Sequence, residues 1–291
     1  MSLRLSRFSE VPPGEIARLE NAMAAFYQNP PASYYAIADQ TAGGYNRKEY
    51  PFHCAIVDRA FPGAKVLEAG CGTAHLCPYI EEKGGSYTGF DHSEKLLDEN
   101  RRRFPNARFF QIGQLPAESF DIVASICTVE HVANPPAYLE SLWNYCRGGG
   151  LIAIHCPEFI ESPGCSAPSV FFGRTPRRFL EKIRAFDIWD ALQHIIDWKI
   201  RAPRWKREAL AAPPGAFWMN LRPRNLHDDD YQIDSDAIHL AGRRDLVWFF
   251  EQKGGRIIQT SADMLEIDPA AFPYSCYVLV GKPSLEKKRQ F

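Results

Sequence analysis

The sequence predicts an α/β fold in which an open, mostly parallel sheet carries helices on both faces. Residues 66–74 read VLEAGCGTA, a buried-strand run that leads into a glycine-rich turn and then into a helical stretch over 74–82. A second strand, TGFD, ends at Asp91, and further strands alternate with helical patterns downstream. With 291 residues, of which 45% are hydrophobic, the chain can bury one large core and an accessory unit.

The glycine-rich turn is typical of a nucleotide site, and two interpretations of it can be compared. Small residues let a ligand approach the backbone, and a carboxylate about twenty positions further on can bind a ribose. Dinucleotide-binding folds also need a third glycine or alanine, which lets the helix pack closely on the strand. His75 stands at that position after Gly70 and Gly72. The sequence therefore disfavours a nicotinamide or flavin enzyme.

The acidic residue before the turn completes the pattern E-x-G-x-G, formed by Glu68, Gly70 and Gly72. This segment resembles motif I of the class I S-adenosylmethionine-dependent methyltransferases, and the resemblance covers roughly residues 47–157 and 237–281. It implies a Rossmann-like seven-stranded sheet of strand order 3-2-1-4-5-7-6, with strand 7 antiparallel, and S-adenosylmethionine as the cofactor. Residues 237–255 are expected to form a helix that precedes the last two strands.

The same resemblance assigns cofactor contacts to residues of the later motifs. Asp91 would bind both ribose hydroxyls, and His92 would pack on the adenine ring. Gln111 stands where the family usually has an adenine-contacting Asp, and a glutamine carbonyl can accept a hydrogen bond from an amino group. The other residues predicted at the cofactor in these motifs are Glu68, Gly70, Cys71, Gly72, Ile112 and Cys127.

An N-terminal arm, residues 1–46, precedes the predicted core. Two prolines followed by apolar residues at helical spacing predict a helix from Glu15 to Tyr27. In the resembling family this region often folds over the methionine end of the cofactor, which would place Tyr35 near the sulfonium and Arg47 near the carboxylate. The alternative is that the tyrosines of this region pack at the edge of the sheet.

Residues 158–236 form an insertion after the fifth predicted strand, and it is too long for an ordinary connection. We expect it to cap the carboxyl edge of the sheet, where ligands bind in open α/β folds, and to contact the substrate. Apolar residues recur every three or four positions from Phe179 to Ile200, which predicts an amphipathic helix. From Arg174 to Arg207 there are ten Lys or Arg against four Asp or Glu.

Three interpretations of this basic helical region remain open: a cap packed on the core, a pocket for an acidic substrate, or a surface that lies on a membrane. The acidic run HDDDYQIDSD at 227–236 lacks calcium-loop spacing, and we expect it to be solvated or to pair with the basic helix. The charged tail, residues 282–291, is expected to fray.

Methyl transfer needs a positioned acceptor, and a hydroxyl acceptor also needs a base. His131 follows the fourth predicted strand and His155 ends the fifth, so both are expected at the carboxyl edge, with His131 favoured as the base. The predicted activity is methylation of an oxygen or nitrogen atom of a small molecule, and an acidic, glycan-linked or lipid-linked acceptor is compatible with it. The alternatives are an RNA methyltransferase that uses the basic insertion and a catalytically silent cofactor-binding partner protein.

The overall composition limits the partners. A net charge of −1 gives no general attraction to nucleic acid, and no apolar run reaches the roughly 18 residues that span a bilayer. The first residues lack a signal-peptide core, and the eight cysteines show neither a C-x-x-C pair nor zinc-ligand spacing. We therefore expect a cytoplasmic protein with reduced cysteines, no metal site, no nucleic-acid partner and no stable membrane insertion.

Overall fold

The computed structural model describes residues 4–32, 34–35, 50–117, 119–162, 176–223, 236–264 and 274–284, and of residues 176–178 only the backbone. Predictions for Arg47, for the acidic residues 227–235 and for the tail after 284 lie outside the described residues. The strands of the described parts are β1 (Leu5–Arg7), β2 (Lys65–Ala69), β3 (Ser86–Asp91), β4 (Arg108–Gln111), β5 (Phe120–Ile126), β6 (Cys146–Pro157), β7 (Trp218–Asn220), β8 (His239–Leu240), β9 (Arg256–Thr260) and β10 (Ser275–Gly281).

The helices lie mainly between these strands, and the insertion carries three of them in succession. They are α1 (Pro13–Gln28), α2 (Pro51–Val57), α3 (Cys77–Glu82), α4 (Glu94–Arg103), α5 (Pro135–Tyr145), α6 (Pro176–Arg184), α7 (Ile188–Ile196), α8 (Ala202–Ala211) and α9 (Arg243–Gln252). Short 3-10 turns follow β1, β5 and β9, and a π-helical turn joins α7 to α8.

The larger sheet has seven strands in the order β4-β3-β2-β5-β6-β10-β9. Pairing is parallel from β4 to β6, whereas β10 is antiparallel to both β6 and β9. This confirms the predicted strand order and the antiparallel last strand. Because parallel strands end at the same edge, the loops after β2, β3, β5 and β6 meet there.

Hydrophobic residues cover both faces of this sheet. Neighbouring strand residues alternate between two buried clusters, since Val66 and Ile122 belong to one and Leu67 and Val123 to the other. The helices contribute Ile56, Ile80 and Leu97 to the first cluster and Leu139, Trp205 and Leu246 to the second. The helices therefore cover both faces of the sheet, as the fold class predicts.

Local sequence explains where the helices begin at the carboxyl edge of the sheet. Ser93 caps α4, because its hydroxyl accepts a hydrogen bond of 3.4 Å from the N–H of Leu96. Asn134 caps α5 in the same way, and prolines fill the first turn of that helix. The helix predicted from Ala74 is wrong at its start, since Ala74 takes a φ of 54° and α3 begins at Cys77. More of the backbone after β2 is therefore non-helical than the pattern predicted.

A further element boundary differs from the prediction. The helix expected from Ala237 begins only at Arg243, and the residues before it include the short strand β8. Pairing of β8 with β7 uses the backbone groups that a helix would need.

A smaller antiparallel sheet joins distant parts of the chain in the order β1-β7-β8. β1 comes from the N-terminal arm, β7 from the insertion, and β8 from the segment that precedes α9. The same segment contacts the loop after β5, because the N–H of Ile238 donates to the carbonyl of Glu130 at 2.8 Å. The arm and the insertion are therefore both connected to the carboxyl edge of the larger sheet.

The amphipathic helix predicted for the insertion is divided into α6, α7, the π-helical turn and α8. The chain reverses between α6 and α7 at Phe186, which has a φ of 56°. Of the three interpretations left open, a cap packed on the core does not fit the apolar stripe of α6 and α7, because Phe186 is 86% exposed and Trp189 is 72% exposed. Among the described side chains of these three helices, a single large one, Trp205 of α8, belongs to the core.

Candidate functional site

A cavity of about 840 Å³ lies at the carboxyl ends of β2, β3 and β5, and α1 and α5 form part of its wall. This volume is in the usual range for small-molecule and cofactor sites. Most of the residues predicted for the site contribute to its lining. They are Glu68, Gly70, Cys71, Gly72, Asp91, His92, Ile112, Cys127, His131 and His155.

The two glycines of the turn have different roles. Gly70 has a φ of +72°, and a Cβ on it would lie 2.3 Å from Oγ1 of Thr128, so a larger residue would collide with the loop after β5. Gly72 has a φ of +48°, and a Cβ there would meet no atom within 4 Å because it would project into open space. Gly70 thus serves packing, while Gly72 leaves free the space that a ligand needs to approach the backbone.

Asp91 and the glycine-rich turn are held together as one unit. The N–H of Gly72 donates to Oδ2 of Asp91 at 2.9 Å, and the N–H of Ser93 donates to Oδ1 at 2.9 Å. The side-chain amide of Asn100 donates to the carbonyl of Gly72 at 2.7 Å. Sequence reasoning missed Asn100, although a polar residue beside Leu96 and Leu97 on the buried face of α4 was a usable signal. These features fit a ribose-binding carboxylate and the adenosyl group that the resemblance implies.

Glu68 lies below the turn and is almost fully buried. Burial raises its pKa to about 8, Asp91 acts in the same direction, and a hydrogen bond from the hydroxyl of Tyr87 opposes the shift. At neutral pH the protonated carboxyl therefore predominates, so that little negative charge is added beside Asp91. Burial also lowers the pKa of His92, whose imidazole is kept neutral beside the Asp91 carboxylate.

The loop after β5 closes this end of the cavity. Cys127 takes a left-handed φ of 48°, and its N–H donates to the carbonyl of His155 at 2.8 Å. A non-glycine residue in this conformation is uncommon and is often found at functional sites. Ile112, directly after β4, is 44% exposed and lines the cavity opposite.

Two of the predicted cofactor residues lie outside the cavity lining. Among the residues that the structure describes, neither Gln111 nor Tyr35 lines the cavity. Gln111 ends β4 and pairs in register with Asp91, while the ring of Tyr35 lies 4.1 Å from the ammonium of Lys95 on α4. Arg47 lies outside the described residues.

A group of polar side chains lies at the cavity near α1. Nδ1 of His131 is 3.2 Å from Oδ2 of Asp236, and the same oxygen accepts a hydrogen bond of 2.5 Å from the hydroxyl of Tyr27. The rings of Tyr27 and His131 meet edge to face with centroids 5.6 Å apart. Asp236 is fully buried and His131 retains 14% side-chain exposure. Sequence reasoning missed Tyr27 and Asp236 as site residues, because they lie more than 200 positions apart.

His155 lines the same cavity in a different environment. Its ring stacks on Phe52 with centroids 4.3 Å apart. Burial, with His53 nearby, lowers the pKa of His155 to about 3. Such a weakly basic imidazole is a poor match for proton abstraction at neutral pH, and of the two predicted bases His131 has the better surroundings.

The described residues hold no group of three or more His, Cys, Asp or Glu side chains placed to bind a metal ion. In the same parts of the chain, every helix is too short or too polar to cross a bilayer.

Comparison with known sequences places this site in context. A family model described as a methyltransferase domain matches residues 45–209, which is more than half of the chain. The ubiquinone biosynthesis O-methyltransferase of Ruegeria sp. (strain TM1040) is 28% identical over 197 residues, which cover 60% of this chain and 74% of that protein. The protein of the same name from Parvibaculum lavamentivorans is 30% identical over 159 residues, covering 50% of this chain and 62% of the relative.

Solved structures share the fold at lower sequence identity. The 1,6-didemethyltoxoflavin-N1-methyltransferase of Burkholderia thailandensis, crystallised with its substrate and S-adenosylhomocysteine, has a TM-score of 0.53 and 14% identity, covering 94% of this chain and 92% of that one. The magnesium protoporphyrin IX methyltransferase of Synechocystis PCC 6803, with bound S-adenosylhomocysteine, has a TM-score of 0.51 and 14% identity, covering 89% and 97%.

Proposed function

We propose that this chain, which belongs to the methyltransferase-domain family and uses S-adenosylmethionine as its methyl donor, methylates a hydroxyl oxygen of a small molecule bound beside His131. The observation that carries the proposal is that one cavity is lined both by the glycine-rich turn with Asp91 and by Tyr27 and His131, whose side chains meet at Asp236. The sequence predicted an oxygen or a nitrogen acceptor, and the proposal takes oxygen because a hydroxyl needs a base such as His131.

The cofactor, when bound, supplies a methyl group on a positively charged sulfur. Asp91 would bind the ribose hydroxyls, because both of its oxygens are already oriented by backbone N–H groups and retain further acceptor capacity. Gly72 would admit the cofactor to the backbone of the turn. Holding the acceptor in near-attack geometry can contribute about 7–11 kcal/mol to catalysis, so no protein nucleophile is required.

His131 would remove the proton of the acceptor hydroxyl. Asp236 lies 3.2 Å from Nδ1 of His131 and would orient the ring. The other ring nitrogen, Nε2, lies 3.7 Å from Oε1 of the buried Glu130 and would be the proton acceptor. Tyr27 donates to the same carboxylate oxygen and limits its movement. Asp236 and Tyr27 are positioning residues in this scheme, whereas His131 touches the acceptor.

The wall formed by α1 favours a compact acceptor with apolar parts. Met23, Ala24 and Tyr27 of this helix line the cavity together with Tyr138 and Tyr145 of α5. Aromatic and aliphatic walls exclude water, which strengthens the interactions of the few polar groups within. An O-methylated ring would fit this lining, and the names of the Ruegeria and Parvibaculum relatives support a hydroxyl acceptor.

The domain boundaries predicted from the sequence stay part of the proposal. Residues 47–157 and 237–281 would form the cofactor-binding core, with residues 158–236 as the insertion and 1–46 as the arm. A cytoplasmic location also stays a prediction. The RNA alternative is less well supported, because large apolar side chains such as Phe186 and Trp189 stand exposed among the basic residues of α6 and α7.

The test combines cofactor binding with turnover of a graded series of acceptors. Calorimetry with S-adenosylhomocysteine measures binding in the wild type, in His131→Gln and in the surface control Asp98→Asn. Turnover is then measured on hydroxylated ring compounds whose hydroxyl groups become progressively more acidic. Because an acidic hydroxyl ionises without help, the His131→Gln defect should shrink along the series while cofactor affinity stays unchanged.

Three results would contradict the proposal. Equal turnover of wild type and His131→Gln on every acceptor would remove the base from the mechanism. Binding of the cofactor product without turnover of any hydroxyl, amine or RNA substrate would instead favour the catalytically silent partner protein. Methylation of RNA with a steep loss of binding in salt would favour the nucleic-acid alternative.

A further inference from the structure

Helix α7 is packed with its polar side inward. His194 and Asp197, at the end of α7 and the start of the π-helical turn, are fully buried. The opposite side carries Ile188, Trp189 and Leu192, which are 60%, 72% and 45% exposed. A helix of a globular protein normally turns its apolar stripe toward the core. The reversed orientation indicates that something other than the core covers this stripe.

The preceding helix and turn extend the same exposed surface. On α6, Leu180 and Ile183 are 52% and 41% exposed, and Phe186 in the turn reaches 86%. We use the name hairpin surface for the exposed apolar side chains of this segment. They are Leu180, Ile183, Phe186, Ile188, Trp189, Leu192, Ile195 and Ile200. Contiguous exposed patches of this kind usually mark interaction sites.

Phe186 stands where the fold itself would favour a glycine. Its N–H donates to the carbonyl of Ile183 at 3.1 Å, and the N–H of Asp187 donates to the carbonyl of Lys182 at 3.0 Å, which is the pattern of a Schellman helix end. The residue at this position takes a left-handed φ, here 56°, that disfavours a bulky side chain. A phenylalanine that is both strained and exposed contributes nothing to folding, which points to contact with a partner.

The catalytic cavity does not explain the hairpin surface. Among the residues that the structure describes, none between 179 and 201 lines the cavity. The surface is therefore separate from the proposed acceptor site, and its occupant can be identified independently of the reaction.

The charges around the hairpin surface select a negatively charged occupant. The carboxylates of Asp190 and Asp197 are paired with Lys182 and Arg201, so two of the four acids between residues 174 and 207 are neutralised within the protein. Arg184 and Lys199 are exposed at the margin, and the ammonium of Lys199 lies 4.0 Å from the ring centroid of Trp198. Lys206 is buried, but ten Lys or Arg against four acids still leave this segment with an excess of cations, which suits an anionic phase.

We propose that the hairpin surface lies on an anionic lipid bilayer, with Phe186 and Trp189 entering the headgroup region. Apolar side chains interleaved with Lys and Arg on a helix that is too short to span are the features of an interfacial, non-spanning contact. The contact is peripheral and reversible, in keeping with the absence of a spanning helix in the described parts of the chain.

The experiment measures sedimentation of the full chain with lipid vesicles, in the absence of cofactor and acceptor. Vesicles of phosphatidylcholine alone are compared with vesicles that also contain phosphatidylglycerol. The wild type should sediment with the anionic vesicles, and added salt should weaken the binding. Because no methyl donor or acceptor is present, failure here leaves the proposed methyltransferase reaction untouched, and the reverse also holds.

Phe186→Gly is the decisive variant, since glycine suits the left-handed φ and should keep or raise the thermal stability. Removing one aromatic side chain that would be buried in the bilayer should weaken vesicle binding about tenfold. Phe61→Ser is the matched control, because Phe61 is 47% exposed but lies outside the hairpin surface. Lys199→Glu should reduce binding to the anionic vesicles more than to the neutral ones.

Three outcomes would overturn the proposal. The first is a wild type that stays in solution with both kinds of vesicle, and the second is Phe186→Gly binding as tightly as the wild type. The third is a concentration-dependent dimer, detected by sedimentation velocity, that is lost in Phe186→Gly while vesicles bind neither form, which would assign the hairpin surface to a second copy of the chain.

Discussion

Replacing either glycine of the turn by alanine should produce two different defects. In Gly70→Ala the new Cβ would lie 2.3 Å from Oγ1 and 2.4 Å from Cγ2 of Thr128, in a residue with a φ of +72°. Overpacking costs about 1–3 kcal/mol, and the left-handed conformation adds about 1–2 kcal/mol for a residue with a Cβ. We expect a loss of about 3 kcal/mol of unfolding free energy, which lowers Tm by roughly 10 °C.

In Gly72→Ala the new Cβ would meet no atom within 4 Å, so only the backbone penalty of about 1 kcal/mol applies. The same Cβ would occupy space that the cofactor needs. If the cofactor or the turn must shift, the cost of overpacking corresponds to a loss of affinity of about ten- to hundredfold. Gly70→Ala thus tests packing against the loop after β5, and Gly72→Ala tests access of the cofactor to the turn.

The assays are denaturant unfolding for stability and calorimetry with S-adenosylhomocysteine for affinity. Thr128→Ala supplies the control, because it removes the two atoms that the Gly70→Ala side chain would strike and should restore part of the lost stability in the double variant. The reasoning is refuted if Gly70→Ala is no less stable than Gly72→Ala. It is equally refuted if Gly72→Ala binds S-adenosylhomocysteine as tightly as the wild type.

Three further predictions concern the polar residues of the site. Asp236→Asn should lower kcat about ten- to hundredfold with little change in cofactor affinity, and Asp236→Glu should recover part of the lost kcat. If steady-state kinetics give an unchanged kcat for Asp236→Asn, Asp236 does not orient His131. Because the pKa of Glu68 rises from 4.5 to about 8 on folding, the folded state holds this proton more tightly, so its contribution to stability is complete below about pH 4.5 and is lost as the pH rises to about 8. Glu68→Gln should remove that decline. The measurement is the free energy of unfolding near pH 5 and near pH 9, and an equal decrease in wild type and variant would contradict the prediction. Asn100→Ala should loosen the turn by removing the hydrogen bond to the Gly72 carbonyl, which costs about 1–3 kcal/mol in stability and weakens cofactor binding; unchanged values in both measurements would assign Asn100 no role.

The parts of the site predicted from the sequence are those that depend on neighbouring residues. Glu68 lies near the end of β2, and Gly70 and Gly72 lie in the turn that follows it. Asp91 ends β3, which pairs with β2 in parallel. A short pattern can therefore carry the geometry, because the chain between these residues is a single strand–helix–strand unit. The seven-strand order was implied by the family that the motifs resemble.

The residues missed by the sequence prediction depend on distant pairings. Tyr27 and Asp236 meet at His131 only because β8 is held against the loop after β5 and α1 lies across the cavity. The start of α9 was predicted too early for a related reason, since β8 pairs with β7 and cannot be helical. Neither Tyr27 nor Asp236 is recognisable as a site residue from its immediate neighbours in the sequence.

The orientation of the insertion gives the clearest division between the two sources of information. The spacing of apolar residues from Phe179 to Ile200 correctly indicated amphipathic helices, because that periodicity is a local property of the chain. The periodicity does not say which side of α7 faces inward, so only the tertiary structure could show that its polar side is buried. Local interactions in this protein determined the glycine-rich turn and the helical periods, whereas contacts between distant segments brought Tyr27 and Asp236 to His131 and left the hairpin surface exposed.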